Sequence, residues 1–241
     1  MNADRPETTW TPAQAAAKLG VSTTTLRRYE QQGLIPDVSR VGANRRVYAE
    51  PHMRAFEALR ALLKAYEIPV AYEAMRRIKS GEVEEALWLL NRQQADIQEE
   101  KRRLTETLNR LSHADFPESE PRGRRTASGI TIGEAAKIAG VNASAVRHWE
   151  QEGLIASTRS PGSGYRLFDP REVRRIIVIA SLRRTVFFIA HMKKLLDDLD
   201  TQNLASVRKS FNIALEKLNQ RLLLQYRAIA KLALYMEEAE R

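Results

Sequence analysis

The sequence predicts a mainly α protein made of two copies of one unit, each closed by a long helix of coiled-coil character. Three observations carry this expectation. A stretch beginning at Thr11 returns at Thr131 without a gap. Each copy has the punctuation of two short helices followed by a hairpin. Each copy then ends in a run whose apolar residues recur at alternating steps of four and three.

The repeat sets every other boundary. TPAQAAAKLGVSTTTLRRYEQQGLI and TIGEAAKIAGVNASAVRHWEQEGLI align at a constant offset of 120. They are identical at Thr11, Ala15, Ala16, Gly20, Val21, Arg27, Glu30, Gln31, Gly33, Leu34 and Ile35 of the first copy. The register holds further on, where Gly42 meets Gly162, Arg46 meets Arg166 and Tyr48 meets Phe168. One register kept over so many positions is an internal repeat. The expected organisation is a first unit over residues 1–80, its long helix over 81–112, a linker over 113–129, a second unit over 130–200 and its long helix over 201–241. The linker, HADFPESEPRGRRTASG, is rich in Pro, Gly, Ser and charge, which disfavours regular structure.

Local chemistry then justifies each element. Thr11 with Gln14, and Thr131 with Glu134, fit the reciprocal capping box at a helix start. Pro12 suits the first helical position, where no backbone donor is needed. Gly20 and Gly140 provide the left-handed stop. Ser22 and Asn142 are N-cap residues for a second helix, anchored by Leu26, Tyr29 and Leu34 or by Val146, Trp149 and Leu154. Gly33 and Gly153 end it. VSRVGANRRVYAE and STRSPGSGYRLFDP each hold a Gly-containing turn between short alternating runs, a β-hairpin signature. Third helices are expected near 51–66 and 170–184, and fourth helices near 69–79 and 187–198. Short helix, tight turn, second helix and hairpin together make a winged helix-turn-helix plan.

Composition narrows the function classes. Thirty-nine Lys and Arg stand against 30 Asp and Glu in 241 residues, for a formal net charge of +9. That balance makes nucleic acid the first partner to consider. With 43% apolar residues the chain can build a packed core. Cys is absent, which excludes disulfides, thiolate metal sites and a Cys nucleophile. His52, His113, His148 and His191 have no metal-ligand spacing, so no metal and no cofactor are expected. There is no Gly-rich phosphate loop and no nucleophile elbow, so the chain is not expected to be an enzyme. No run approaches ~20 apolar residues and the start carries no apolar h-region, so a cytoplasmic protein with no membrane contact is expected.

A helix entering the major groove needs basic and hydroxyl groups on one face and apolar anchors on the other. The first copy offers Thr23, Thr24, Arg27 and Arg28, and the second Ser144, Arg147 and His148. The wings add Arg40, Arg45, Arg46 and Tyr48, then Arg159, Tyr165 and Arg166, as phosphate contacts. Tyr29 and Trp149 have two readings, packed beneath the helix or with a ring edge on the sugar-phosphate backbone.

The motif T-x-x-x-A-A-x-x-x-G-V, followed by LRRYEQQGLI or VRHWEQEGLI and a wing ending RVYAE or GYRLFDP, resembles the MerR family of bacterial transcription regulators. The resemblance implies a second helix that reads the major groove, wings on phosphate and a long antiparallel coiled coil joining two DNA-binding units. It implies a sequence-specific regulator of double-stranded DNA that distorts an overlong promoter so that RNA polymerase engages it, in some cases on a small-molecule signal. The chain departs from the pattern in three ways. Two units occupy one chain, the first wing reads Asn44-Arg45-Arg46 where the second keeps Gly164-Tyr165-Arg166, and no cysteine is available for metal sensing.

The long helices carry seams: Val83, Leu87, Leu90, Gln94, Ile97, Lys101, Leu104, Leu108 and Leu111, then Phe211, Leu215, Leu218, Leu222, Gln225, Ile229, Leu232 and Met236. These support either an intrachain pseudo-dimer or a homodimer. Tyr66, Tyr72, Trp88, Phe187, Phe188 and Tyr226 are candidates to line an effector pocket, against the plainer reading that they are core. Two rival functions are an architectural, excisionase-like DNA-bending protein and a drug-sequestering protein with secondary DNA binding.

Overall fold

A computed structural model describes residues 8–42, 45–112, 129–183 and 189–239. The chain is mainly helical and divides into two compact units. Unit 1 comprises residues 1–97 and 219–241, and unit 2 residues 98–218.

Unit 1 begins with α1 (Pro12–Leu19) and α2 (Thr23–Gln31). The Thr11 side chain accepts from the Gln14 backbone and Gln14 reaches back to the Thr11 amide, so the capping box forms. Ser22 caps α2 by accepting from Thr25 N at 3.0 Å. The wing is an antiparallel pair, β1 (Arg40–Val41) and β2 (Arg45–Arg46), with Arg40 opposite Arg46. Then follow α3 (Glu50–Ala65), α4 (Ile68–Lys79) and the first part of α5 (Val83–Ser112). One core joins Leu19, Leu26, Leu34, Tyr48, Phe56, Leu59 and Leu62 to Ala86 and Leu90 of α5. Ala228, Leu232 and Tyr235 belong to the same core, and they come from α10 (Leu204–Ala239), the last helix of the chain. Lys231 Nζ donates to Glu57 Oε2 at 2.9 Å beside this contact.

Unit 2 repeats the plan. It has β3 (Ile130–Thr131), α6 (Ile132–Ala139), α7 (Ala143–Gln151), β4 (Thr158–Arg159), β5 (Arg166–Phe168), α8 (Pro170–Leu182) and α9 (Ile189–Asp200). Asn142 holds the N-cap position of α7, yet its side chain makes no capping hydrogen bond. The sheet order is β3-β5-β4, so a strand preceding α6 extends the wing. The matching place in unit 1 is a single bridge between Trp10 and Tyr48. The hairpin signature alone did not announce this third strand, because two residues are too few to show alternation. The last part of α5 and the first part of α10 complete unit 2. There the buried Thr107 and Ser181 hydroxyls meet at 2.8 Å.

The seams sit differently from the sequence expectation. Leu90, Ile97, Leu104 and Leu111 are buried as expected, but Leu87 and Lys101 are exposed. The intervening buried positions are Ala86, Glu100 and Thr107, one residue earlier. In α10 the shift is the same: Phe211, Leu218, Gln225 and Leu232 are buried with Ala214, Ala228 and Tyr235 in place of Leu215, Ile229 and Met236. Small residues at Ala86, Ala214 and Ala228 admit close approach, and hydrophobicity alone gives the bulkier neighbour too much weight.

Gly20 and Gly140 end α1 and α6 at φ +62° and +63°. A Cβ at either position meets nothing within 4 Å, so the glycine answers a backbone need and not a packing one. Gly140→Ala is expected to cost about 1–2 kcal/mol, the ordinary penalty for a left-handed L-residue. A thermal melt checks this, and an unchanged midpoint refutes it.

Candidate nucleic-acid interface

At 100° per residue, Thr24, Arg27 and Arg28 fall within an arc of about 100° on α2. Leu26 and Tyr29 occupy the opposite side and are buried. Thr24, Arg27 and Arg28 are exposed and Thr23 is half-buried. In α7, Ser144, Arg147 and His148 take the same three places and are exposed, while Val146 and Trp149 are buried. Each unit thus presents a short polar face with at least one guanidinium, held out by a helix whose other side is core.

The wings extend these faces. Arg40 and Arg45 are exposed on β1 and β2, and Arg159 is exposed on β4. Arg159 Nη1 donates to Gly164 O at 3.2 Å, which ties the guanidinium to its own turn. Tyr165 is 70% exposed at the second wing. Asn44, the departure in the first wing, lies outside the described residues.

Tyr29, Tyr48 and Trp149 pack inward. All three are buried, Tyr48 completely. The Tyr48 ring meets Phe56 edge-on at 5.3 Å, and Tyr29 lies 6.4 Å from the same ring. Their positions follow from helical and strand periodicity, since Tyr29 shares the face of Leu26 and Tyr48 pairs with Trp10. Burial pushes the Tyr48 phenol up, Glu30 adds to this, and Arg46 and Arg27 oppose it.

Arg46 and Arg166 are half-buried and already engaged. Arg46 Nε donates to Glu30 Oε2 at 2.8 Å, and Arg166 Nε donates to Glu150 Oε2 at 2.8 Å. Sequence reasoning missed both glutamates. The available signal was a carboxylate repeated at the offset of 120 on a helix otherwise dressed for a polyanion. Ser157 Oγ also donates to Glu150. Burial pushes the Glu150 carboxyl up, but Ser157, Arg166 and the nearby Arg159 outweigh it and hold the group below the usual range. The hydrogen bond and charge of Glu30 push the Arg46 guanidinium up.

Among the described residues, the aromatic candidates for an effector pocket do not assemble into an enclosure. Tyr66 is buried in the core of unit 1 and Tyr72 packs partly against that core. Trp88 is 70% and Tyr226 59% exposed, so neither lines a closed cavity. Phe187 and Phe188 lie outside the described residues. Among the described residues no helix is long and apolar enough to cross a membrane.

Comparison with known proteins bears on both units. Residues 11–48 match the model of the MerR family regulatory protein, and residues 130–199 match that of the MerR HTH family regulatory protein. Nodulation protein NolA of Bradyrhizobium elkanii is 32% identical over 77 residues, 32% of this chain and 33% of that protein. The HTH-type transcriptional regulator HmrR of Sinorhizobium medicae is 34% identical over 67 residues, 28% of this chain and 46% of that protein. The heavy metal-dependent transcription regulator 2 of Rhizobium meliloti is 33% identical over 67 residues, with the same coverage. The matched stretches thus span a third to under half of these relatives. Among solved structures, HiNmlR, a MerR family regulator lacking the sensor domain and bound to promoter DNA, aligns at 23% identity and TM-score 0.34, over 57% of this chain and 99% of that one.

Proposed function

We propose, for a chain that belongs to the MerR family of regulatory proteins at both of its helix-turn-helix units, a sequence-specific regulator that binds promoter DNA with the two units together and distorts it. The observation that carries this reading is the pair of equivalent exposed faces, Thr24, Arg27 and Arg28 on α2 and Ser144, Arg147 and His148 on α7. Two such faces on one chain do the work that a dimer of single units would do. The chain is accordingly inferred to act as a single-chain pseudo-dimer. This inference is supported by the make-up of each unit, which takes its helix-turn-helix from one copy and part of its core from the long helix of the other.

The faces are unequal, since His148 stands where the first copy has Arg28 and the wings differ at Tyr165. The operator is therefore expected to be an imperfect inverted repeat. Selection of bound duplexes from a random DNA pool tests this. Two different half-sites at fixed spacing, one per chain, are the expected result. Salt-sensitive binding with no enriched sequence would refute base reading and favour the architectural alternative. Two identical half-sites bound by two chains would refute the pseudo-dimer.

A further inference from the structure

We propose that Glu30 and Glu150 are positioning residues, each fixing its wing to its recognition helix through Arg46 or Arg166, and that these two arginines serve the protein and not DNA phosphate. The inference rests on the reading of the two units as DNA-binding. A carboxylate on a helix that approaches a polyanion adds like-charge repulsion, so by itself it weakens binding. Its recurrence in both copies therefore calls for an intramolecular task. The geometry supplies one: the same two atoms, Nε and Oε2, meet at 2.8 Å in both units. In both, the glutamate stands on the helix and the arginine on the second wing strand.

The wing needs such a tie. In unit 1 its ladder holds two residue pairs and one bridge to Trp10. A hairpin of that length is marginal in water, and its backbone bonds do not fix its tilt against a neighbouring helix. Both pairs are half-buried, with side-chain exposures of 24% and 19% in unit 1 and 38% and 22% in unit 2. They are thus screened less than a surface pair. Unit 2 has more to hold its wing, namely the third strand and Ser157 on Glu150. The position equivalent to Ser157 is Asp37, which bonds Lys79 Nζ at 2.7 Å and leaves the first tie without that hydroxyl. The first wing accordingly depends more on its tie than the second does.

A charge exchange on the full chain separates a tie from a phosphate contact. The probe is a duplex selected by the wild-type chain, titrated at several salt concentrations. Glu150→Ala and Arg166→Ala are each expected to weaken binding roughly tenfold, with the double variant no worse than the poorer single one. Glu150→Arg combined with Arg166→Glu is expected to recover binding to within a few-fold, with an unchanged salt slope. The same set at Glu30 and Arg46 should give the larger losses. If Arg166→Ala alone lowers the salt slope by about 1 and the exchange binds worse than either single variant, Arg166 holds phosphate and the proposal is overturned. Hydrogen exchange on the free protein gives a readout that needs no DNA. Residues 158–168 should lose protection in Glu150→Ala while α7 keeps its own. Unchanged wing protection also overturns the tie, whereas a wild-type chain that selects no duplex overturns only the functional reading.

Discussion

Leu232→Ala is expected to destabilise the first helix-turn-helix unit, although Leu232 lies in the last helix of the chain. Its side chain is fully buried in the core that holds Leu26, Phe56, Leu59 and Leu62. Truncating a buried leucine removes its transfer free energy and leaves a cavity, at a cost of about 2–5 kcal/mol. Against a total stability of about 5–15 kcal/mol for a domain, that is a large fraction. Hydrogen exchange locates the damage. Amides of α1 to α4 should exchange faster, while those of α6 to α8 keep their protection. A truncation after Leu218 should act in the same direction and further, because it also removes Ala228 and Tyr235 from the core of unit 1. Damage confined to unit 2, or none, would show that α10 is not part of the first core. The functional consequence is specific: such a truncation, although it removes only the end of the second copy, is expected to impair DNA binding by the first.

That exchange of helices marks how far the sequence is legible. The repeat, the capping boxes and the glycine stops are local signals, each set by a few adjacent residues, and both helix-turn-helix pairs follow from them. The exposed faces were legible too, because helical periodicity separates Thr24, Arg27 and Arg28 from Leu26 and Tyr29. What the sequence hid was long-range. Nothing near Leu232 indicates which copy it packs against. Nothing near Thr107 shows that a seam position will be polar, since the reason is the Ser181 hydroxyl far along the chain. Glu30 and Glu150 are visible in the repeat only as identities, because a carboxylate acquires a role only when its arginine, sixteen positions on, is folded back against it.

Arg27→Ala and Arg147→Ala are expected to divide the operator between them. If each guanidinium reads a base, its loss costs about 1–3 kcal/mol and relaxes specificity at one position. Both side chains are exposed on the outer face of their helices, at equivalent places in the two copies. Their neighbours differ, since Arg28 offers a planar guanidinium fork and His148 an imidazole ring with different donor geometry. The two half-sites are therefore expected to differ, and each substitution should erase preference in one of them only. Repeating the duplex selection with each variant reads this directly. Arg27→Ala should blur one half-site and leave the other sharp, and Arg147→Ala should do the reverse. A substitution that weakens binding equally on every sequence and lowers the salt slope by about 1 would make that arginine a phosphate contact. Unchanged affinity and selection in both variants would remove α2 and α7 as reading helices. Because the two faces share one chain, the outcome also tests the pseudo-dimer: in a homodimer that pairs like units, one substitution would blur both half-sites together.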